Sequence, residues 1–292
     1  MNFWELRKSL PNSDNQETVN EFLLDLKLMN KSKGTIIQYR DYLERFFIRH
    51  DESFRDLSSE TLQQWFMKQE AHLMEKTLSQ RIAILSSFFN FCVQEEYIEL
   101  SPIKSRWYPR LPKPIPKFLE KEDIAKTRYQ SEKLSSRNQA MVEFMLSSGC
   151  RIGEMHQLDC SDVNIENRSA HVLGKGGRIR QIHFSEKCRV LLEKYLESRE
   201  HEASALFTTS NGKRLGIPGI RKIVKELGEE AGMDTRLHPH RFRHTFATEL
   251  LSKGADLEFI GAELGHTELS TTQIYARLPK RKIISLYRKY MG

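Results

Sequence analysis

Apolar side chains recur at helical spacing through the first hundred residues. Val19, Phe22, Leu23 and Leu26 repeat at three- and four-residue intervals, the period of one buried helix face. Thr35 fits the N-cap of a second helix carrying Ile36, Tyr39, Leu43, Phe46 and Phe47. Ser58 or Ser59 opens a third, with Leu62, Trp65 and Phe66. Thr77 opens a fourth, with Leu78, Ile82, Leu85, Phe88, Phe89 and Cys92. These stripes are core positions, and four such helices make a small bundle. Nothing in the bundle has the residue types of a catalytic centre.

The pattern breaks in the stretch SPIKSRWYPRLPKPIP, where Pro102, Pro109, Pro112, Pro114 and Pro116 make up five of the nine prolines of the chain. Proline fixes φ and removes a backbone donor, so an extended, stiff connector is expected. From Leu100 to Leu119 the chain carries Lys104, Arg106, Arg110, Lys113 and Lys117 and no acidic residue. That suits a segment crossing a phosphate backbone and equally suits a plain spacer. The expected division is a helical domain over 1–105, a basic linker over 106–116 and a second domain over 117–292.

Beyond the linker, Asn138 to Leu146 reads as helix and Ile152 to Leu158 as a short one. Asp162 to Phe184 alternates like strands around turns at Asn167 and at Gly174-Lys175-Gly176-Gly177, which predicts a small antiparallel sheet. Helices resume at Glu186 to Ser198, Pro218 to Ala231, Pro239 to Ser252 and Leu257 to Leu264, and on toward the C-terminus. The expected class is mainly α with a small antiparallel β-sheet, in two domains.

Composition adds little to this division but excludes several classes. The 292 residues are 39% apolar and 29% charged, an ordinary globular balance. No apolar run approaches the roughly 20 residues that span a bilayer. Trp4 and Glu5 stand where a signal peptide needs its apolar core, so a cytoplasmic protein is expected. Cys92, Cys150, Cys160 and Cys188 show neither CxxC nor zinc-site spacing and read as reduced thiols. Lys and Arg outnumber Asp and Glu by 46 to 39, a net charge of +7 that favours a polyanionic partner.

The densest polar signal is LHPHRFRHTFATELL, residues 237–251. Pro239 suits a first helical position, and Phe242, Phe246 and Leu250 form a core stripe. His240 and Arg243, three apart, share a face of the first turn, where dipole, backbone N–H groups and guanidinium would all favour an anion. In SSGCRIGEM, Arg151 precedes a short helix with Glu154 three residues on. The pair fits either a structural ion pair or a phosphate clamp. Lys175 sits at a hairpin tip, His266 follows a helix-ending glycine, and Tyr275 comes nine residues later. Each is weak alone.

Their order is more specific. An arginine with a glutamate three residues on, a Gly-Lys-Gly hairpin, His-x-x-Arg-His, Leu-Gly-His and a tyrosine nine residues after that histidine resemble the tyrosine recombinase (phage integrase) family, and its short Xer-like members in particular. The resemblance implies that Tyr275 attacks a scissile DNA phosphate to form a 3′-phosphotyrosine, that Arg151 and Arg243 clamp the non-bridging oxygens, and that Lys175 protonates the leaving 5′ oxygen. It further implies that His240 accepts the tyrosine proton, that His266 is another phosphate ligand and that Glu154 supports the site. Strand exchange through a Holliday junction needs no metal, ATP or other cofactor in this scheme, since the phosphotyrosine keeps the bond energy. Phe242, Gly153 and Cys150 depart from the more usual leucine, serine and leucine of the family without touching these positions. Arg241 and His238 are expected as additional phosphate contacts, whereas His244, which continues the His-x-x-Arg-His string, is expected to be structural rather than another such contact.

The same resemblance implies double-stranded DNA with core sites as partner. It also implies a homo- or hetero-tetramer assembled on that DNA, with room for accessory proteins. The tail RLPKRKIISLYRKYMG, with six basic and no acidic residues and Ile283, Ile284, Leu286 and Tyr287 as anchors, is expected to be a helix packed on a neighbouring subunit. Only about a dozen residues precede Asp14, so no arm-binding domain is expected. Two other readings fit fewer features: a type IB topoisomerase-like nicking and closing enzyme, and a DNA-binding protein that kept the fold without the chemistry.

Overall fold

The structure is a computed structural model that describes residues 2–111, 117–174, 177–265 and 272. The chain divides into two compact units, Met1–Lys113 and Pro114–Gly292. In the first, α1 (Ser13–Leu28), α2 (Lys33–Ile48), α3 (Ser59–Gln69) and α4 (Glu75–Gln94) follow the apolar stripes. Val19, Leu23, Leu43, Phe46, Phe47, Phe88 and Phe89 are buried. Phe88 lies at the centre of an edge-to-face cluster, 5.6, 5.4 and 5.9 Å from the rings of Phe22, Phe47 and Phe54.

Two helix starts differ from expectation. Ser32, not Thr35, caps α2, its Oγ accepting the Thr35 N–H at 3.2 Å. The fourth helix begins at Glu75 behind Met74, with no side-chain cap, so Thr77 already lies inside it. The basic segment is also less extended than its prolines suggested. Ser105–Trp107, between Pro102 and Pro109, forms a single 3₁₀ turn in which the N–H groups of Trp107 and Tyr108 donate to the carbonyls of Lys104 and Ser105 at 3.0 and 3.4 Å. The Trp107 ring packs 6.1 Å from that of Phe66, and Ser59 Oγ donates to the Pro102 carbonyl at 2.7 Å. The chain therefore stays attached to the helical unit past residue 105.

In the second unit, α5 (Lys121–Ser131), α6 (Ser136–Ser148) and α7 (Ile152–Gln157) precede an antiparallel sheet of β1 (Val163–Asn164), β2 (Ser169–Leu173) and β3 (Ile179–His183), in that spatial order. Then come α8 (Glu186–Glu197), α9 (Ile217–Glu230), α10 (Pro239–Ser252) and α11 (Leu257–Leu264). Helix α6 is apolar nearly all round (Ala140, Met141, Val142, Phe144, Met145, Leu146) and is buried accordingly. Its one buried acid, Glu143, is satisfied by Arg128 through two hydrogen bonds of 3.0 and 3.2 Å. Helix α5 escaped the pattern because only Ile124, Thr127 and Ser131 face inward. Among the described residues no helix is long and apolar enough to cross a membrane.

Gly149 closes α6 with φ +61°, and a Cβ there would lie 2.4 Å from Cδ1 of Phe246. Left-handed backbone and overpacking oppose any side chain at this position. Gly149→Ala should lower stability by about 2–4 kcal/mol, measured by urea unfolding. An unchanged midpoint would mean that Phe246 moves aside freely.

Candidate active site

Three chain breaks converge in the second unit: the Gly149-Cys150 turn between α6 and α7, the start of α10, and the end of α11 at Gly265. Pro239 opens α10 at a position where its missing N–H costs nothing, which places His240 and Arg243 in the first turns. Arg243 is buried. Its Nη1 donates to the Gly149 carbonyl at 2.9 Å and its Nη2 to the Leu264 carbonyl at 2.6 Å. These carbonyls end α6 and α11, where the helix dipoles favour a cation.

Arg151 caps α7 and keeps 35% of its side chain exposed, so its charge stays accessible. Its Nη2 reaches the Gly265 carbonyl at 3.4 Å, one residue beyond the carbonyl that Arg243 holds. Two guanidiniums thus meet the successive carbonyls of Leu264 and Gly265. Glu154, buried, accepts the Arg151 N–H at 2.8 Å and Arg151 Nη1 at 2.7 Å. Of the two alternatives for this pair, the ion pair is therefore present, and the exposed part of Arg151 leaves the second open as well.

Sequence reasoning overlooked Arg180. Its Nη1 and Nη2 donate to the two oxygens of Glu154 at 2.9 Å each. Burial alone would raise the Glu154 pKa, yet the hydrogen bonds from Arg180 and Arg151 hold it below the ordinary value. A signal was available. In a strand, Arg180 shares a face with Ile182, which is fully buried, so a charged side chain there needed a partner.

The histidines are tuned toward neutrality. Burial, and then the charges of Arg243, Arg151 and Arg221, lower the pKa of His240, leaving a ring that can accept a proton at neutral pH. His238, 6.3 Å away ring to ring, is also lowered, first by burial and then by His240. His244, half-buried on the same helix, is lowered to about 4, first by burial and then by His240, Arg243 and His238. An unfolded chain takes up these protons near pH 6.5, whereas the folded one takes them up at lower pH, the His244 proton at about 4. Stability should therefore fall as pH drops from about 6.5 to about 4, and His244→Gln should flatten part of that slope in thermal melts. An identical slope in the variant would assign the effect to other groups.

Arg241, expected as a DNA contact, is instead buried. Nη1 donates to Oγ1 and the carbonyl of Thr235 at 2.5 and 3.2 Å, and Nη2 to the Phe118 carbonyl at 3.2 Å. Asp123 lies 3.8 Å away. The guanidinium pins the start of the second unit to α10. Lys104, Arg106 and Arg110 are exposed. Lys113, Lys175, His266 and Tyr275, and the terminal helix expected beyond Tyr275, lie outside the described residues.

Residues 117–282 match the Phage integrase family, and residues 19–96 match its N-terminal SAM-like domain. Tyrosine recombinase XerC of Oceanobacillus iheyensis is 33% identical over 277 residues, which span 89% of this chain and 90% of that protein. Tyrosine recombinase XerD of Staphylococcus epidermidis is 31% identical over 305 residues, spanning 99% and 96%. Among solved structures, XerH site-specific recombinase bound to a palindromic difH substrate superposes with TM-score 0.76 at 20% identity, covering 100% of this chain and 92% of that one. A lambda integrase dimer bound to a core site gives 0.76 at 15% identity, covering 91% and 96%.

Proposed function

This chain belongs to the phage integrase family of tyrosine recombinases, an enzyme of Xer-like site-specific recombination, and from that premise we propose that it cuts and rejoins double-stranded DNA at core sites through a 3′-phosphotyrosine on Tyr275. The observation that carries this reading is the meeting of Arg151 and Arg243 at the Leu264-Gly265 turn, directly before His266 in sequence. Two guanidiniums fixed in advance can receive the charge that builds on the non-bridging oxygens without reorganising.

In the proposed step the Tyr275 oxygen bonds to phosphorus and its proton passes to His240. The bond from phosphorus to the 5′ oxygen breaks, and Lys175 supplies a proton to that oxygen. A phenol with pKa about 10 needs such a base at neutral pH, and the lowered pKa of His240 keeps its ring neutral there, with a lone pair to take the proton. His266 adds a further donor to the phosphate. Attack by the 5′ oxygen of a partner strand reverses the step and releases Tyr275, so no metal or ATP is consumed. Two rounds give exchange through a Holliday junction.

The helical domain (1–105) and the linker (106–116), with exposed Lys104, Arg106 and Arg110 together with Lys113, are proposed to grip the DNA backbone while the domain over 117–292 reacts. The basic, apolar-anchored tail is proposed to bind a neighbouring subunit in a tetramer, of one or two kinds of chain. The reaction serves either Xer-like resolution or the integration and excision of a mobile element. The test is a suicide DNA substrate nicked beside the scissile phosphate, with peptide mapping of the SDS-resistant adduct. An adduct on Tyr275 is expected. DNA binding without any adduct would reduce the chain to a binding protein and overturn the reading.

A further inference from the structure

Arg180 has no part in the reaction as described, yet three segments of the site rest on its guanidinium. Nη1 and Nη2 take both oxygens of Glu154 at 2.9 Å, and Nε donates to the Glu263 carbonyl near the end of α11 at 3.3 Å. Gly265, at φ +63°, lies so close that a Cβ there would sit 2.6 Å from Arg180 Nε. A Cβ on Gly174, which leads into Lys175, would sit 3.3 Å from Arg180 Nη1. The segments around Glu154, Gly174 and Gly265 therefore share one buttress.

The charges make the arrangement more than support. Glu154 is a single buried carboxylate facing two guanidiniums, and Oε1 is shared between Arg151 Nη1 at 2.7 Å and Arg180 Nη1 at 2.9 Å. Arg180, with 15% of its side chain exposed and bound bidentately, is the better-matched counter-ion, and Arg151, the more exposed cation, is left in surplus. We propose that Arg180 is a positioning residue that neutralises Glu154, so that the charge of Arg151 remains available to the scissile phosphate. Without Arg180, Glu154 would draw the Arg151 guanidinium into a closed ion pair. The inference rests on the recombinase reading above. Arg180 itself is assigned no contact with DNA.

The test compares wild type, Arg180→Gln and the double variant Glu154→Gln/Arg180→Gln as full chains. Each is given suicide DNA at saturating concentration, carrying either the normal scissile phosphodiester or an uncharged methylphosphonate in its place. DNA affinity and thermal melting are recorded alongside. On the phosphodiester, Arg180→Gln should slow adduct formation on the order of 10²-fold at unchanged DNA affinity. On the methylphosphonate most of that deficit should vanish, because the charge that Arg151 answers has been removed. The double variant, which removes the carboxylate charge that would draw Arg151 away, guards against misfolding and should react faster than Arg180→Gln. Equal slowing on both substrates, or a double variant no faster than the single one, would leave Arg180 a merely structural residue and overturn the inference. Wild-type rates in Arg180→Gln would do the same. If wild type itself forms no adduct on the phosphodiester, the recombinase reading fails, and this inference fails with it.

Discussion

Tyr275→Phe should bind core-site DNA as tightly as wild type and form no covalent adduct, a loss on the order of 10⁴-fold or more. The substitution removes one oxygen and leaves the ring, so packing and DNA affinity have little reason to change. Only the atom proposed to bond to phosphorus is missing. The guanidiniums of Arg151 and Arg243, still in place, would stabilise a transition state that can no longer form. Suicide-substrate trapping and gel-shift titration on the same preparation separate the two quantities. Adduct persisting in the variant would move the nucleophile to another residue, with Tyr287 and Tyr290 the first to map.

Arg243→Ala carries the second large effect, and it should appear in two measurements at once. As a proposed phosphate clamp, loss of its guanidinium should slow adduct formation on the order of 10²–10³-fold. As a buried donor it also satisfies the carbonyls that end α6 and α11, at Gly149 and Leu264. Leaving both unpartnered should cost about 2–5 kcal/mol of stability in urea unfolding. Arg243→Lys should recover little of either, because one ammonium cannot span two carbonyls and still face a phosphate. A variant that melts like wild type yet fails to cleave would show that the helix-end contacts are energetically idle. One that cleaves normally would remove Arg243 from the clamp.

Both sites of change were visible in the sequence, and so was much of the fold. The apolar stripes of α1 to α4 and the strand alternation before Phe184 are local periodicities, readable without partners. The start of α10 was readable too, from Pro239 at its first position. So were the chemistry-bearing residues, because their types and order carry the family resemblance. Helix α5 was invisible for the corresponding reason: with three inward positions it has almost no stripe to read.

Sequence alone therefore determined the helical architecture with its small sheet, and the residue types and order that mark the family. Tertiary structure decided which arginine does what. Arg241 and Arg243 are two residues apart on one helix and both buried, yet one is spent on Phe118 and Thr235 and the other faces Gly149 and Leu264. Arg180, on the strand face of buried Ile182, became the counter-ion of Glu154. A charged side chain takes its role from the carbonyls and carboxylates around it. Residues two apart point to different faces of a helix, so their partners come from separate, distant segments. Periodicity along the chain reports which face is buried, but only the folded packing brings each guanidinium to its acceptor.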